Sequence, residues 1–218
     1  MARLIDAATV PHLRIYLLLA IATMARPSAI MQLQTSSIDL ASKTINLLPP
    51  AQRQNHKRRP TVPIANAIMP MLQKAPQGHL VTYEGRPMDS VRSAFDKSAK
   101  AAGIALPVNR YVIRHTIISE AMKRCAEPWQ VERFAGHATG NRTTERYVKF
   151  SPGYLNAARE AIDNYFIEVK ARMQTDLLAF TEVSALQLRC NDNPTLSESG
   201  RKVVEPRGVE PLTSTLPV

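Results

Sequence analysis

Arginine, imidazole and phenol side chains recur in a fixed order along the second half of this 218-residue chain. Arg114-His115-Thr116 comes first, then Gly136-His137, then Thr143-Thr144-Glu145-Arg146-Tyr147. Two further basic elements lie upstream, Ala25-Arg26-Pro27-Ser28 and the run Asn55-His56-Lys57-Arg58-Arg59-Pro60. These residue types suit chemistry at phosphorus. The planar guanidinium matches two phosphate oxygens at once and stays charged at every relevant pH. A phenol can attack, and a lysine or imidazole can move the protons that attack and departure require.

In type and order these boxes resemble the catalytic domain of the tyrosine recombinase (phage integrase) family, over about residues 10 to 170. The resemblance implies a role for each matching position. Arg26, in a box reading A-R-P-S-x-I, and Arg114 would clamp the non-bridging oxygens of the scissile phosphate. Tyr111 stands where the family pattern H-x-x-R-H more usually has histidine. A phenol with a pKa near 10 can donate a hydrogen bond but is a poor base at neutral pH, so Tyr111 would position rather than deprotonate. His115 reads as a packing or backbone-bonding residue. His137 would hydrogen-bond the phosphate or help move the phenolic proton. Tyr147 would be the nucleophile, leaving a 3′-phosphotyrosyl link and a free 5′ hydroxyl, with Tyr154 as its rival seven residues on. The general acid toward the leaving oxygen would be Lys57, with His56 as a possible substitute. Ala29 occupies a place where the family usually has glutamate, which implies a less firmly oriented Arg26. No cofactor and no metal are implied, because the arginines would neutralise the charge that a divalent ion handles elsewhere.

Composition agrees with a polyanion as partner. The net charge is +10, and residues 1–150 hold 21 of the 28 Lys+Arg against 9 of the 18 Asp+Glu. Such a surface attracts double-stranded DNA through counterion release. A hydrophobic content of 44% suffices for a core. The two cysteines, Cys125 and Cys190, form neither a disulfide framework nor a metal set, and read as reduced thiols of a cytoplasmic protein. The run after Arg14, from Ile15 to Ala22, mimics a secretory leader but is shorter than the ~20 apolar residues a membrane span needs. It reads as a buried helix, and no membrane contact is expected.

The elements that must carry these residues can be placed from pattern. Pro11 suits the first turn of a helix to about Met24, apolar nearly all round, which Pro27 ends before a short second helix over 28–33. Residues 37–40, 44–48 and 61–64 alternate as short strands of an antiparallel sheet with the basic run at its turn. Helices follow at about 64–74, 89–102, 111–125 and 128–135, with Asp89 as an N-cap and Val91, Phe95, Ala99 and Ala102 as the apolar stripe of the second. Another helix begins at Ser151-Pro152, with a stripe through Leu155, Ala158, Ile162, Tyr165, Val169 and Met173. The fold class is therefore α+β and mostly helical, an integrase-type domain with a small three-stranded sheet and a C-terminal helix.

Three regions are expected: a catalytic domain over 1–172, a helical extension over 173–190, and a disordered tail over 191–218. By the resemblance, the extension and its stripe would dock on a neighbouring protomer of a tetramer on paired sites. A stripe packed on its own domain is the alternative. The family's N-terminal DNA-gripping domain is expected to be absent, which implies weak DNA binding by the catalytic domain alone. The leading reading is a site-specific recombinase, with integration of a mobile element as its context. A catalytically silent DNA-binding remnant and a type IB topoisomerase are the rivals.

Overall fold

The computed structural model describes residues 1–49, 52–54, 58–105, 110–137 and 153–181. Its centre is a helix that has no polar face. α2 (Pro11–Thr23) opens with proline at its first turn, and every residue from His12 to Thr23 is buried. α3 (Pro27–Met31) and a later helix, α6 (Arg110–Arg124), pack against it. A 13-residue helix enclosed on all sides explains the apolar run. No helix among the described residues is long and apolar enough to cross a membrane.

Three strands form the expected sheet in the order β1 (Ile38–Asp39), β2 (Thr44–Asn46), β3 (Thr61–Pro63), antiparallel throughout. Ile45 faces Ile38 on one side and Val62 on the other, and both Ile45 and Val62 are fully buried. The β2–β3 connection carries the basic run. A second two-stranded hairpin, β4 (Thr82–Tyr83) with β5 (Arg86–Pro87), was not expected from pattern. Its turn uses Glu84 and Gly85, both at positive φ (50° and 74°), the conformation that matches strand twist in a two-residue loop.

The predicted helix over 64–74 divides into a 3-10 turn (Asn66–Ile68) and α4 (Met69–Gln73), with Pro70 in the first turn of α4. α5 begins at Arg92 and ends at Ala101, so Asp89 is not its N-cap. The Ser90 hydroxyl takes the Arg92 N–H instead, at 3.2 Å. The stripe predicted for α5 is buried as expected. α6 and α7 (Pro128–Phe134) lie where the pattern placed them. α1 (Ala2–Asp6) is an additional short helix, held by burial of Leu4 and Ile5.

The last helix, α8, runs from Asn156 to Ala171. Its stripe residues Leu155, Ala158, Ile162, Tyr165 and Val169 are all buried within this chain, where α8 packs on α6 and α7. These five residues are part of the domain core, and Met173, the last of the expected stripe, is partly buried against it. Arg124 of α6 adds a fork to Glu168 of α8 (2.6 Å) and to its own Glu120 (2.7 Å).

Residues 173–181 are turns, not the expected helix, and they are tied to the start of the same chain. Asp6 accepts the Gln174 and Thr175 N–H groups (both 3.0 Å) and the Thr175 hydroxyl (2.7 Å). Arg14 has no solvent exposure and donates to the carbonyls of Ile5, Asp176 and Leu177 and to Thr175 Oγ1 at 2.9 Å. A buried cation left without acceptors is costly, so this knot fixes the strap to α1 and α2. Arg14→Ala orphans these acceptors at about 1–3 kcal/mol for each that stays buried, and a chain ended at Arg172 removes three of the four from the cation; both are expected to lower the thermal midpoint. The expected extension beyond 181 and the tail over 191–218 lie outside the described residues.

Candidate active site

Three chain ends meet at one crevice, and each is shaped by a local backbone device. α2 closes on Met24 in the left-handed conformation, φ 49°, which turns the chain so that Arg26 precedes Pro27 at the start of α3. α7 closes on Gly136, φ 74°, with the Gly136 N–H on Arg133 O (3.0 Å) and the His137 N–H on Glu132 O (2.9 Å). That pair of bonds is a Schellman motif, which favours glycine and releases His137 just beyond the helix. The third end is the segment Arg58–Pro60 as it enters β3. Ala25, Arg26, Ala29, Leu47, Arg58, Arg59, Pro60, Arg114 and Ala135 line the crevice between them, with no carboxylate in its wall among the described residues.

Arg114 joins two of the ends from α6. It is 6% exposed, and its Nη1 donates to the Met24 carbonyl while Nη2 donates to the Ala135 carbonyl at 2.6 Å. The same Nη2 lies 3.5 Å from His137 Nε2. A guanidinium has five N–H donors, so two main-chain bonds fix its plane and leave others for an anion. Arg26 Nη1 donates to the Arg58 carbonyl at 3.0 Å. With Ala29 in the place where a glutamate was expected, a main-chain oxygen is the partner that Arg26 has here. Arg59 crosses to Gln32 Oε1 at 2.6 Å.

The charges are crowded with like charges. Burial, and then Arg26, lower the Arg114 pKa to about 10, with Tyr111 opposing, so the guanidinium remains cationic at neutral pH. Burial and Arg26 likewise lower that of Arg59. His137 is pushed below the usual histidine range by burial, then by Arg114 and Arg26. Each cation raises the cost of its neighbours, and an anion at the crevice relieves that repulsion.

His137 is accordingly neutral at pH 7, and its ring can accept as well as donate. A lowered pKa means that the unfolded chain binds more protons in the window from the ordinary value, ~6.5, down to the folded value. Stability contributed there is present above the window and lost as pH falls through it. His137→Gln is expected to flatten the dependence of thermal midpoint on pH below that ordinary value, measured beside the wild type.

The structure brings Arg26, Arg114 and His137 together. Tyr111 sits one turn before Arg114 on α6, 45% exposed and within electrostatic reach of Arg114. His115 is exposed and neither packed nor bonded to backbone by any contact described, though its charge reaches His137. Lys57, His56 and Tyr147 lie outside the described residues. Tyr154 is half-buried against the core. Arg58 and Arg59 were visible in the sequence as members of a basic run, but nothing in it singled out the Arg58 carbonyl or the Met24 carbonyl as anchors. Among the described residues no group of His, Cys, Asp and Glu could hold a metal ion. Cys125 is free and buried, its Sγ on the Glu127 carbonyl at 3.3 Å.

The domain is mostly helical α+β, and arginines line its crevice. Residues 1–152 match the Phage integrase family, and the chain belongs to that family. No curated protein and no solved structure matches it.

Proposed function

We propose that the chain is a site-specific DNA recombinase that cuts and rejoins DNA through a 3′-phosphotyrosyl intermediate. The observation that carries this reading is the set of groups joined by Arg114, which lines the crevice with Arg26 and whose guanidinium lies 3.5 Å from His137 Nε2. In the proposed reaction the Tyr147 phenolic oxygen attacks phosphorus and the bond to the 5′ oxygen breaks. Arg26 and Arg114 hold the non-bridging oxygens, where charge grows in the transition state and where pre-set donors are most effective. His137 accepts or relays the phenolic proton, Tyr111 donates to a phosphate oxygen, and Lys57 or His56 protonates the departing 5′ oxygen. The reverse attack by a 5′ hydroxyl of a second strand reforms the phosphodiester and frees Tyr147.

Double-stranded DNA is the partner this requires, and exchange between paired sites implies a homotetramer. Its protomer contacts must come from surfaces other than the α8 stripe, which the domain's own core consumes. The context we infer is integration of a mobile element in the cytoplasm.

Nicked suicide duplexes cut from both ends of the resident genetic element test this, incubated with the protein in EDTA. A protein–DNA adduct that survives denaturant is the expected result. DNA bound without any adduct, even when a DNA-gripping domain is supplied, would replace the proposal with the silent-remnant reading. Relaxation of supercoils without a preferred site would favour a topoisomerase.

A further inference from the structure

Gly136 does more than end α7. Its φ of 74° satisfies the helix cap, and asparagine could also adopt that conformation at modest cost. A second demand is steric. A Cβ at position 136 would lie 2.5 Å from the Arg58 carbonyl oxygen and 3.0 Å from Pro60 Cδ. The nearer obstacle is backbone, which cannot swing aside as the end of a flexible side chain would. That same carbonyl oxygen accepts the hydrogen bond from Arg26 Nη1 at 3.0 Å. Among the described residues the wall around it offers Arg26 no carboxylate as an alternative.

We propose that Gly136 is a positioning residue: its bare α-carbon seats the Arg58 peptide against the His137 turn, and the seated carbonyl orients the Arg26 guanidinium. One close backbone contact then locks three separate parts of the chain together. The end of α7 sets His137, the entry to β3 sets the Arg58 oxygen, and that oxygen sets Arg26. Arg114, bonded to Ala135 one residue before Gly136, shares the same footing. The consequence for DNA cleavage rests on the recombinase reading, whereas the contact itself does not.

Two substitutions separate the steric demand from the conformational one. Gly136→Ala offends both, while Gly136→Asn tolerates the left-handed conformation and offends only the steric demand, through its Cβ and the carboxamide beyond it. Asn is expected to melt above Ala, and both are expected to raise the labelling of Arg26 by phenylglyoxal severalfold over wild type, read by peptide mapping. Arg124, held by two carboxylates on another face, serves as the unchanged reference. On suicide duplexes both variants should form adduct about 100-fold more slowly, with DNA affinity little changed. Labelling of Arg26 in the Asn variant equal to wild type would overturn the proposal and leave Gly136 a helix terminator only. Labelling reads the contact whether or not the chain cuts DNA. A failed recombinase reading would show instead as a wild type without adduct and with the labelling change intact. Should neither variant fold, Arg26→Gln reads the seat from its other side. Faster amide exchange over residues 58–62 is then expected, and unchanged exchange contradicts the proposal.

Discussion

Tyr147→Phe is expected to abolish adduct formation while DNA affinity stays within about threefold of wild type. Affinity for a duplex comes mainly from cations against phosphates, and this change removes none of them. Removing the attacking oxygen leaves no covalent route, so the rate of adduct formation should fall by a factor on the order of 10⁴–10⁶. Tyr154→Phe should leave that rate nearly unchanged, since its ring is half-buried against the core. Gel-shift titrations beside denaturing adduct assays separate the two effects. Equal loss in both variants, or loss of binding with loss of chemistry, would contradict the assignment.

The second large effect is expected at Arg114, where fold and chemistry are coupled. Arg114→Ala removes the donor from two carbonyls that cap neighbouring helices, Met24 and Ala135. Each orphaned buried acceptor costs about 1–3 kcal/mol, so a total of about 2–6 kcal/mol is expected. In a domain of this size that lowers the thermal midpoint by roughly 4–24 °C. The rate of adduct formation should fall by about 10²–10³ or more, the usual loss when a fixed donor to developing charge is removed. Arg114→Lys discriminates between the roles. A single ammonium can reach one of the two carbonyls but cannot reproduce the fork. It should recover part of the stability and little of the rate.

The parts of this structure that could be read in advance are those governed by local pattern. α2 announces itself through Pro11 and an apolar run, and the sheet through alternation at Ile38, Ile45 and Val62. Gly136-His137 is legible for the same reason, since glycine is the residue that most readily takes the left-handed conformation that stops a helix. Short elements were not legible. α1 has five residues and β4 and β5 have two each, too few for periodicity to register. Asp89 has the chemistry of a cap, but α5 starts at Arg92, three residues later.

Long-range partnerships were hidden for a different reason. Arg14 looked like the basic flank of an apolar segment, yet three of its four acceptors lie about 160 residues away and turn it into the knot of the fold. The stripe on α8 was compatible with a neighbour or with its own core, and only packing on α6 and α7 decides between them. At the site, residue types revealed the arginines and the imidazole. Their anchoring on the carbonyls of Met24, Arg58 and Ala135 depends on backbone groups, which every residue carries and no motif marks.

The most direct test of the central claim is to identify the residue joined to DNA. Adduct from a nicked suicide duplex, formed in EDTA, would be digested with protease and nuclease and its cross-linked peptide sequenced by mass spectrometry. A nucleotide remnant attached through its 3′ phosphate to Tyr147 is the predicted result. Attachment to Tyr154 or to a serine, linkage through a 5′ phosphate, or DNA bound with no covalent product would contradict it.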